Sequence, residues 1–119
     1  MALRHWKLER DADGLAWATL DVADASTNTL GAAVMLELAS LLDELDRQPP
    51  KGLVIRSGKA AGFIAGADID EFSRIDSPAA ARALVERGWN LFNRLAALPY
   101  PTLALVRGHC LGGGLELAL

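Results

Sequence analysis

The sequence is poor in cysteine, in clustered basic residues and in long apolar runs, and each absence excludes a class of protein. Its one cysteine, Cys110, cannot form an intramolecular disulfide, so a disulfide-stapled secreted fold is excluded and a reducing compartment is favoured. No apolar run approaches the ~20 residues that a membrane span needs. The first ten residues carry charges where a secretory signal would be apolar. We therefore expect a cytoplasmic protein without a membrane span.

Positive charge is also scarce. The chain has 12 Lys and Arg against 15 Asp and Glu, a formal net charge of −3, and no basic block. Binding to nucleic acid depends on such blocks, so a nucleic-acid partner is not expected. No His, Cys, Asp and Glu cluster has the spacing of metal ligands, so we expect no metal site.

What is present is the composition of an ordinary globular domain. The 119 residues are 51% hydrophobic and 23% charged, which predicts one domain over residues 1–119 and excludes disorder as the main state. The chain ends at Leu119 inside an apolar helical pattern that lacks a stop signal. We therefore expect it to be part of a longer protein.

Strand-like and helix-like patterns alternate along the chain. The hydrophobic periodicity, the Asp13-Gly14 turn signal and the proline positions predict strands at 6–9, 15–22, 53–55 and 102–106, and helices at 31–47, 68–73, from Ser77-Pro78 to before Pro99, and from Gly113 onward. The intervening segments 24–29, 57–66 and 107–112 are predicted as loops. This order, β-β-α-β-α-α-β-α, predicts an α/β fold with a largely parallel sheet.

Several large apolar residues are expected in the core or in an interface. Those of the helix after Ser77 recur at helical spacing and would form its buried face; they are Ala81, Leu84, Val85, Leu91, Phe92, Leu95 and Leu98. The three tryptophans, Trp6, Trp17 and Trp89, are expected in the core or an interface as well.

Two glycine-rich loops each lie between a predicted buried strand and a helix. The first contains residues 62–69 (GFIAGADI) and the second contains residues 108–117 (GHCLGGGLEL). In a parallel sheet both loops would lie at the carboxyl ends of strands, where open α/β folds bind their ligands. The sequence therefore predicts a ligand site at these loops.

The second loop has a pattern suited to stabilising negative charge. Three consecutive glycines let backbone N–H groups approach a ligand closely, and the start of a helix adds N–H groups without intrahelical partners. Glu116 follows Gly113 by three residues, which is about 300° around a helix, so its carboxylate and the Gly113 N–H can face the same volume. A carboxylate beside an oxyanion site suits proton transfer next to a carbonyl group. The alternative is that these glycines form only a tight turn and that Glu116 stabilises the helix start.

Other polar residues near the loops have plainer interpretations. His109 is expected to be solvated or to cap backbone, Cys110 to be a small buried filler, and Lys59 to be a surface lysine, with contact to a phosphate as its alternative. Asp68 is interpreted as a helix cap, and Asp70 and Glu71 are expected to contact solvent or an acyl chain.

Together the two loops resemble those of the crotonase (enoyl-CoA hydratase/isomerase) superfamily. The segments FIAGADI (63–69) and GHCLGGGLEL (108–117) are similar to its two oxyanion loops. Their sequences are most similar to those of the hydratase part of multifunctional fatty-acid oxidation enzymes. The resemblance extends over nearly the whole chain, including Asn28-Thr29-Leu30. It implies a spiral of ββα units, of which this chain would hold the N-terminal half.

The resemblance also implies roles for individual residues. Ala67 and Gly113 match the residues whose N–H groups form the oxyanion hole for an acyl-CoA thioester, and Glu116 matches the first catalytic glutamate. Residues 25–30 match the region that lines the CoA channel. The implied substrate-binding residues are Ala65, Gly66, Ala67, Asp68, Ile69, Asp70, Gly112 and Gly113.

The implied activity is hydration of 2-enoyl-CoA thioesters in fatty-acid β-oxidation, with coenzyme A as part of the substrate and no prosthetic group. The family's second catalytic glutamate would lie beyond Leu119. The alternatives are an isomerase or another crotonase reaction, or a non-catalytic acyl-CoA-binding or scaffold fragment. The implied assembly is a trimer-based homo-oligomer or a subunit of a β-oxidation complex.

Overall fold

The computed structural model describes residues 2–119, apart from the side chain of Phe72, and strands and helices alternate along them. The elements are β1 (Trp6–Arg10), β2 (Leu15–Leu20), α1 (Ala32–Arg47), β3 (Gly52–Ser57), β4 (Gly62–Ile64), α2 (Ile69–Phe72), α3 (Pro78–Ala96), β5 (Thr102–Ala104), β6 (His109–Cys110) and α4 (Gly113–Ala118). The α/β class predicted from the sequence is confirmed.

Four strands form the larger sheet, in the order β1-β2-β3-β5. Strands β1 and β2 are antiparallel and joined by the predicted hairpin, in which the Asp11 carboxylate accepts hydrogen bonds from the N–H groups of Asp13 and Leu15. Strand β3 pairs in parallel with both β2 and β5, with Leu53 opposite Ala16 and Thr102. The sheet is therefore largely parallel, as the alternation of strands and helices predicts.

Helix α1 covers one face of this sheet. Its buried residues recur at helical spacing and form one stripe; they are Val34, Leu38, Leu41, Leu42 and Leu45. Along β2 every second residue is buried, from Ala16 to Leu20, as expected for a strand with one face on the core. The resulting core also contains Phe63, Ile64 and Leu117, so the glycine-rich loops extend directly from its edge.

Two short strands lie inside segments that the sequence predicted as loops. Strand β4 has three residues and β6 has two, and they pair in parallel to form a separate small sheet. The loop prediction for 57–66 and 107–112 was therefore wrong at these positions. Runs this short do not display the alternation that reveals longer strands, and their pairing is decided by contacts distant in sequence.

The predicted buried face of α3 is only partly correct. Leu95 is buried, and Leu91, Phe92 and Leu98 pack against the core, but Val85 is 57% exposed. Trp6 is buried and Trp17 is half-buried. Trp89 is 65% exposed, so it lies outside the core formed by residues 2–119. The C-terminal half of α3 is held against α1 by Arg94, which pairs with Asp43 and Asp46 at 2.8 and 2.7 Å. Periodicity marks an apolar face but does not say what covers it.

Candidate active site

The two glycine-rich loops lie side by side because β4 and β6 are parallel. Gly62 is opposite His109 and Ile64 is opposite Cys110, and the Leu111 N–H donates to the Ile64 carbonyl at 3.1 Å. Parallel strands end at the same edge, so residues 65–68 and 111–113 leave the small sheet together. The chain positions its two loops through two strands that the sequence analysis missed.

Glycine gives each loop a backbone conformation that other residues rarely adopt. Gly66 has φ 129° and Gly112 has φ 51°, conformations that side chains disfavour. A Cβ built on Gly112 would lie 3.8 Å from the Gly66 Cα. The two loops are therefore adjacent at these residues, and glycine is favoured at both positions by its φ angle rather than by a lack of space.

The first loop is held by the segment 28–30, which precedes α1. The Ala65 N–H donates to the Asn28 carbonyl at 2.9 Å, and the Leu30 N–H donates to the Gly66 carbonyl at 2.8 Å. The peptide bond between Gly66 and Ala67 is trans, so its C=O and N–H point in opposite directions. The Ala67 N–H is consequently aimed away from Leu30, and it donates to no acceptor among residues 2–119.

The second loop orients its own N–H group by the same geometry. The Gly112 carbonyl accepts the Glu116 N–H at 3.1 Å and so points along α4. The Gly113 N–H belongs to the same trans peptide and points out of the start of α4. In the part of the chain that the structure describes, this N–H donates to no protein acceptor. Each loop thus presents one main-chain N–H donor. Its direction is set by the carbonyl of the same peptide, which is held by a hydrogen bond.

Glu116 lies in the first turn of α4 and is exposed. Its carboxylate has no hydrogen-bond or ion-pair partner among residues 2–119, while its N–H closes the first turn of the helix. It stands one helical turn from Gly113, as the spacing predicts. A carboxylate without a structural partner is available to bind a ligand or water.

Two acidic residues after the first loop cap two different helices. Asp68 caps α2, accepting the Asp70 N–H at 3.0 Å, as predicted. Glu71 caps a different helix: its two carboxylate oxygens lie 3.0 and 2.8 Å from the Ala32 N–H at the start of α1. The sequence did not predict this capping contact, although Glu71 is only half-buried and so still contacts solvent as expected. The N-cap residue of α1, Gly31, has no side chain that could accept this hydrogen bond.

Ile69 and Asp70, which follow Asp68, are both exposed, and the Ile69 side chain is 81% exposed. An apolar side chain this exposed next to the first loop is free to contact an apolar ligand.

Asn28 is the polar residue that sequence reasoning missed. It is 2% exposed, and its amide nitrogen lies 3.0 Å from the Leu20 carbonyl, 2.9 Å from the Ser57 hydroxyl and 2.9 Å from the Phe63 carbonyl. Its side-chain oxygen accepts the Val22 N–H at 3.1 Å. Only the resemblance included this residue, because an asparagine in a polar segment ordinarily signals a turn.

Lys59 is not a surface lysine. Its side chain is 12% exposed, its ammonium group pairs with Asp21 at 2.6 Å, and it donates to the carbonyls of Val22 and Ala25. The surface expectation was therefore wrong, because the bend of segment 21–25 encloses the side chain. These three acceptors occupy the ammonium group and bind it to the segment before Asn28.

His109 and Cys110 form the short strand β6. His109 is exposed, and Cys110 is partly buried and packs against the core, which agrees with its interpretation as a filler. Among residues 2–119 no three or more His, Cys, Asp or Glu side chains could hold a metal ion. In the same residues no helix has both the length and the apolar character that crossing a bilayer takes.

Comparison with known proteins agrees with this arrangement. The family described as enoyl-CoA hydratase/isomerase matches residues 11–119. The fatty acid oxidation complex subunit alpha of Aliivibrio fischeri is 47% identical over 112 residues, which are 92% of this chain and 16% of that protein. The subunit of the same name from Shewanella oneidensis is 44% identical over 117 residues, 98% of this chain and 17% of that protein.

Solved structures give the same result for the fold. An enoyl-CoA hydratase/isomerase from Xanthobacter autotrophicus superposes with a TM-score of 0.88 at 28% identity, over 99% of this chain and 44% of that one. An enoyl-CoA hydratase from Shewanella pealeana gives a TM-score of 0.85 at 25% identity, over 97% of this chain and 43% of that one.

The chain has a mixed α/β fold with two apposed glycine-rich loops, and the family and the solved structures match it over nearly its whole length. These features identify it as part of a crotonase-type domain. The chain belongs to the enoyl-CoA hydratase/isomerase family. It spans about a sixth of the length of the curated relatives it matches.

Proposed function

We propose that, in its complete protein, this chain supplies the oxyanion hole and one catalytic glutamate of an enoyl-CoA hydratase. The observation that carries the proposal is the pair of main-chain donors, Ala67 and Gly113, which lie on adjacent loops and have no protein acceptor among residues 2–119. Family membership supports a thioester of coenzyme A as the ligand.

The two donors would bind the thioester carbonyl oxygen of a 2-enoyl-CoA. Attack at C3 would move negative charge onto that oxygen, and donors held in place before the reaction would stabilise the charge without reorganising. One donor of this kind is typically worth about 3 kcal/mol of barrier. The directions of the two N–H groups do not depend on flexible side chains, because the hydrogen-bonded carbonyls of Gly66 and Gly112 belong to the same peptides and orient them.

Glu116 would act as the general base. It would hold a water molecule and take its proton while the water oxygen bonds to C3, and a proton would be delivered to C2 to complete the addition. The proposal assigns that second step to a glutamate outside these 119 residues. Glu116 suits the first step because it lies one turn from Gly113 and has no structural partner in the described chain.

The remaining residues of the two loops would contact the substrate. Main chain at Ala65, Gly66 and Gly112 would border the thioester, and Ile69, with Asp68 and Asp70 around it, would lie along the bound molecule. The exposed Ile69 side chain suits contact with an apolar chain, which supports its place in this set.

An isomerase is the second candidate. Glu116 is the only acidic residue in the segment 107–119, and a single carboxylate beside an oxyanion hole is enough to move a proton between two carbons of a 3-enoyl-CoA. A non-catalytic acyl-CoA-binding role is the third, since one carboxylate and two donors can bind a thioester without turning it over.

We infer further that the complete protein acts on fatty-acid β-oxidation intermediates as a subunit of an oxidation complex, or as a trimer-based homo-oligomer. The names of the relatives support the first of these assemblies. Coenzyme A enters as part of the substrate, no prosthetic group is proposed, and the cytoplasm stays the predicted compartment.

Three assays on the complete protein separate the candidates. Loss of the conjugated thioester absorbance of crotonyl-CoA measures hydration, and its appearance from a 3-enoyl-CoA measures isomerisation. Thermal shift with the same thioesters measures binding. Hydration supports the proposal, isomerisation alone supports the second candidate, and binding without turnover supports the third. No binding and no turnover would refute all three.

A further inference from the structure

We propose that Asn28 is a positioning residue of this site, whose buried carboxamide fixes the direction of the Ala67 N–H through the segment 28–30. The inference rests on the proposed oxyanion role of Ala67, and it adds a residue to which the proposed reaction assigns no chemical step.

The carboxamide joins the ends of two strands and the middle of a third at one point. Its nitrogen contacts the Leu20 carbonyl at the end of β2, the Ser57 hydroxyl at the end of β3 and the Phe63 carbonyl in β4. Its oxygen accepts the Val22 N–H. A group this buried that uses both its donor and its acceptor atoms cannot rotate without leaving polar groups unpaired. The backbone at Asn28 is therefore fixed relative to the sheet.

That fixed backbone holds the first loop directly. The Asn28 carbonyl accepts the Ala65 N–H at 2.9 Å, and two residues later the Leu30 N–H donates to the Gly66 carbonyl at 2.8 Å. Because the Gly66–Ala67 peptide is planar and trans, the donor from Leu30 sets where the Ala67 N–H points. A tilt of segment 28–30 would therefore change the direction of that N–H.

The same segment also contacts the second loop. A Cβ built on Gly113 would lie 3.1 Å from the Leu30 Cδ1, so the Leu30 side chain packs against the Gly113 main chain. Leu30 thus touches both loops, through its backbone on one side and its side chain on the other. Displacing segment 28–30 would alter the separation of the two donors as well as the direction of one.

The test uses Asn28→Asp, which keeps the shape and the acceptor for the Val22 N–H. The variant loses the amide donors and places a carboxylate oxygen against the carbonyls of Leu20 and Phe63. Asn28→Ser is the second variant, with a smaller side chain that retains a hydroxyl, and it carries the same test if the aspartate variant does not fold. Leu45→Ala is the control, because Leu45 is fully buried near the C-terminal end of α1, about four helical turns from segment 28–30.

The readout is carbonyl polarisation in a bound chromophoric thioester, 4-dimethylaminocinnamoyl-CoA, measured with the complete protein. Hydrogen bonds to its carbonyl draw electrons from the amino group and move its absorption to longer wavelength. Wild type and Leu45→Ala should give the same shift despite the lower melting temperature of the control. The Asn28 variants should bind the thioester yet lose most of the shift. Their kcat for crotonyl-CoA should fall by about 10²-fold, the cost of one misdirected donor, with KM little changed.

The outcomes separate the two levels of the proposal. An Asn28 variant that keeps the wild-type shift and kcat would overturn the positioning role. Equal losses of shift in Leu45→Ala and in the Asn28 variants would overturn it too, because they would indicate general destabilisation. If wild type itself gives no shift on binding, the oxyanion role of Ala67 and Gly113 is wrong.

Discussion

Gly114 lies directly against Ile64: a Cβ built on Gly114 would be 2.7 Å from both the Cβ and the carbonyl oxygen of Ile64. Real Cβ atoms do not come this close to backbone, so the contact admits only glycine. It presses the first turn of α4 onto β4. The distance between the two loops is therefore set by packing, one residue after the proposed donor Gly113.

Gly114→Ala should separate the loops. We expect a loss of about 1–3 kcal/mol in the free energy of unfolding from overpacking, and a larger proportional loss of hydration activity than of thioester binding. Chemical denaturation and crotonyl-CoA kinetics on the complete protein measure both quantities.

Gly88→Ala is the matched control for this substitution. Gly88 lies inside α3, and a Cβ there would have nothing within 4 Å. Alanine should raise the free energy of unfolding by about 0.5–1 kcal/mol through helix propensity alone and leave activity unchanged. A tolerated alanine at position 114 would contradict the packing account.

Glu116→Gln tests the proposed base. The amide keeps the size of the side chain but cannot take a proton from water, so hydration should fall by about 10²–10⁴-fold while thioester binding persists. Glu86→Gln, an exposed carboxylate on α3, is the control and should behave as wild type. Unchanged turnover in the Glu116 variant would remove Glu116 from the mechanism.

Glu71→Ala tests the cap on α1. Both carboxylate oxygens of Glu71 face the Ala32 N–H, so their removal should cost about 1 kcal/mol of stability, the usual value of an N-cap. Asp76→Ala removes an exposed carboxylate a few residues away and should cost less. Equal melting temperatures for the two variants would show that the contact does not stabilise the helix.

Asp11 should contribute a pH-dependent stability to the hairpin. The Trp17 indole N–H and then the Leu15 N–H hold the pKa of this carboxyl below its ordinary value. A depressed pKa means that the stabilisation is present at neutral pH and is lost as the pH falls through the folded-state value. Asp11→Asn should be less stable than wild type at neutral pH, and the difference should shrink in acid, as followed by tryptophan fluorescence. A difference that does not vary with pH would contradict this assignment.

The long elements were predictable because their signals are local. Helix α1 has an apolar stripe and ends before Pro49-Pro50, and α3 begins at the Ser77 cap with Pro78 next to it, so each lies within a residue or two of its predicted bounds. Strands β1 to β3 follow for the same reason.

What escaped prediction depends on contacts between distant residues. The pairing of β4 with β6, the Glu71 cap on α1 and the enclosure of Lys59 all join segments far apart in the chain, and no local pattern encodes them. The three glycines and the Gly113-to-Glu116 interval indicated one candidate donor, the Gly113 N–H. Ala67 was named only through the resemblance, which also implied that both loops bind one ligand. The Asn28 contacts could not be inferred, because an asparagine that is buried has the same sequence signal as one in a turn.

The most direct measurement is a crystal structure of the complete protein, carrying Glu116→Gln to slow turnover, with a 2-enoyl-CoA bound. Our account predicts the thioester oxygen at about 2.7–3.1 Å from both the Ala67 and the Gly113 nitrogen atoms. A thioester oxygen bonded to only one of them, or turned away from both loops, would contradict it.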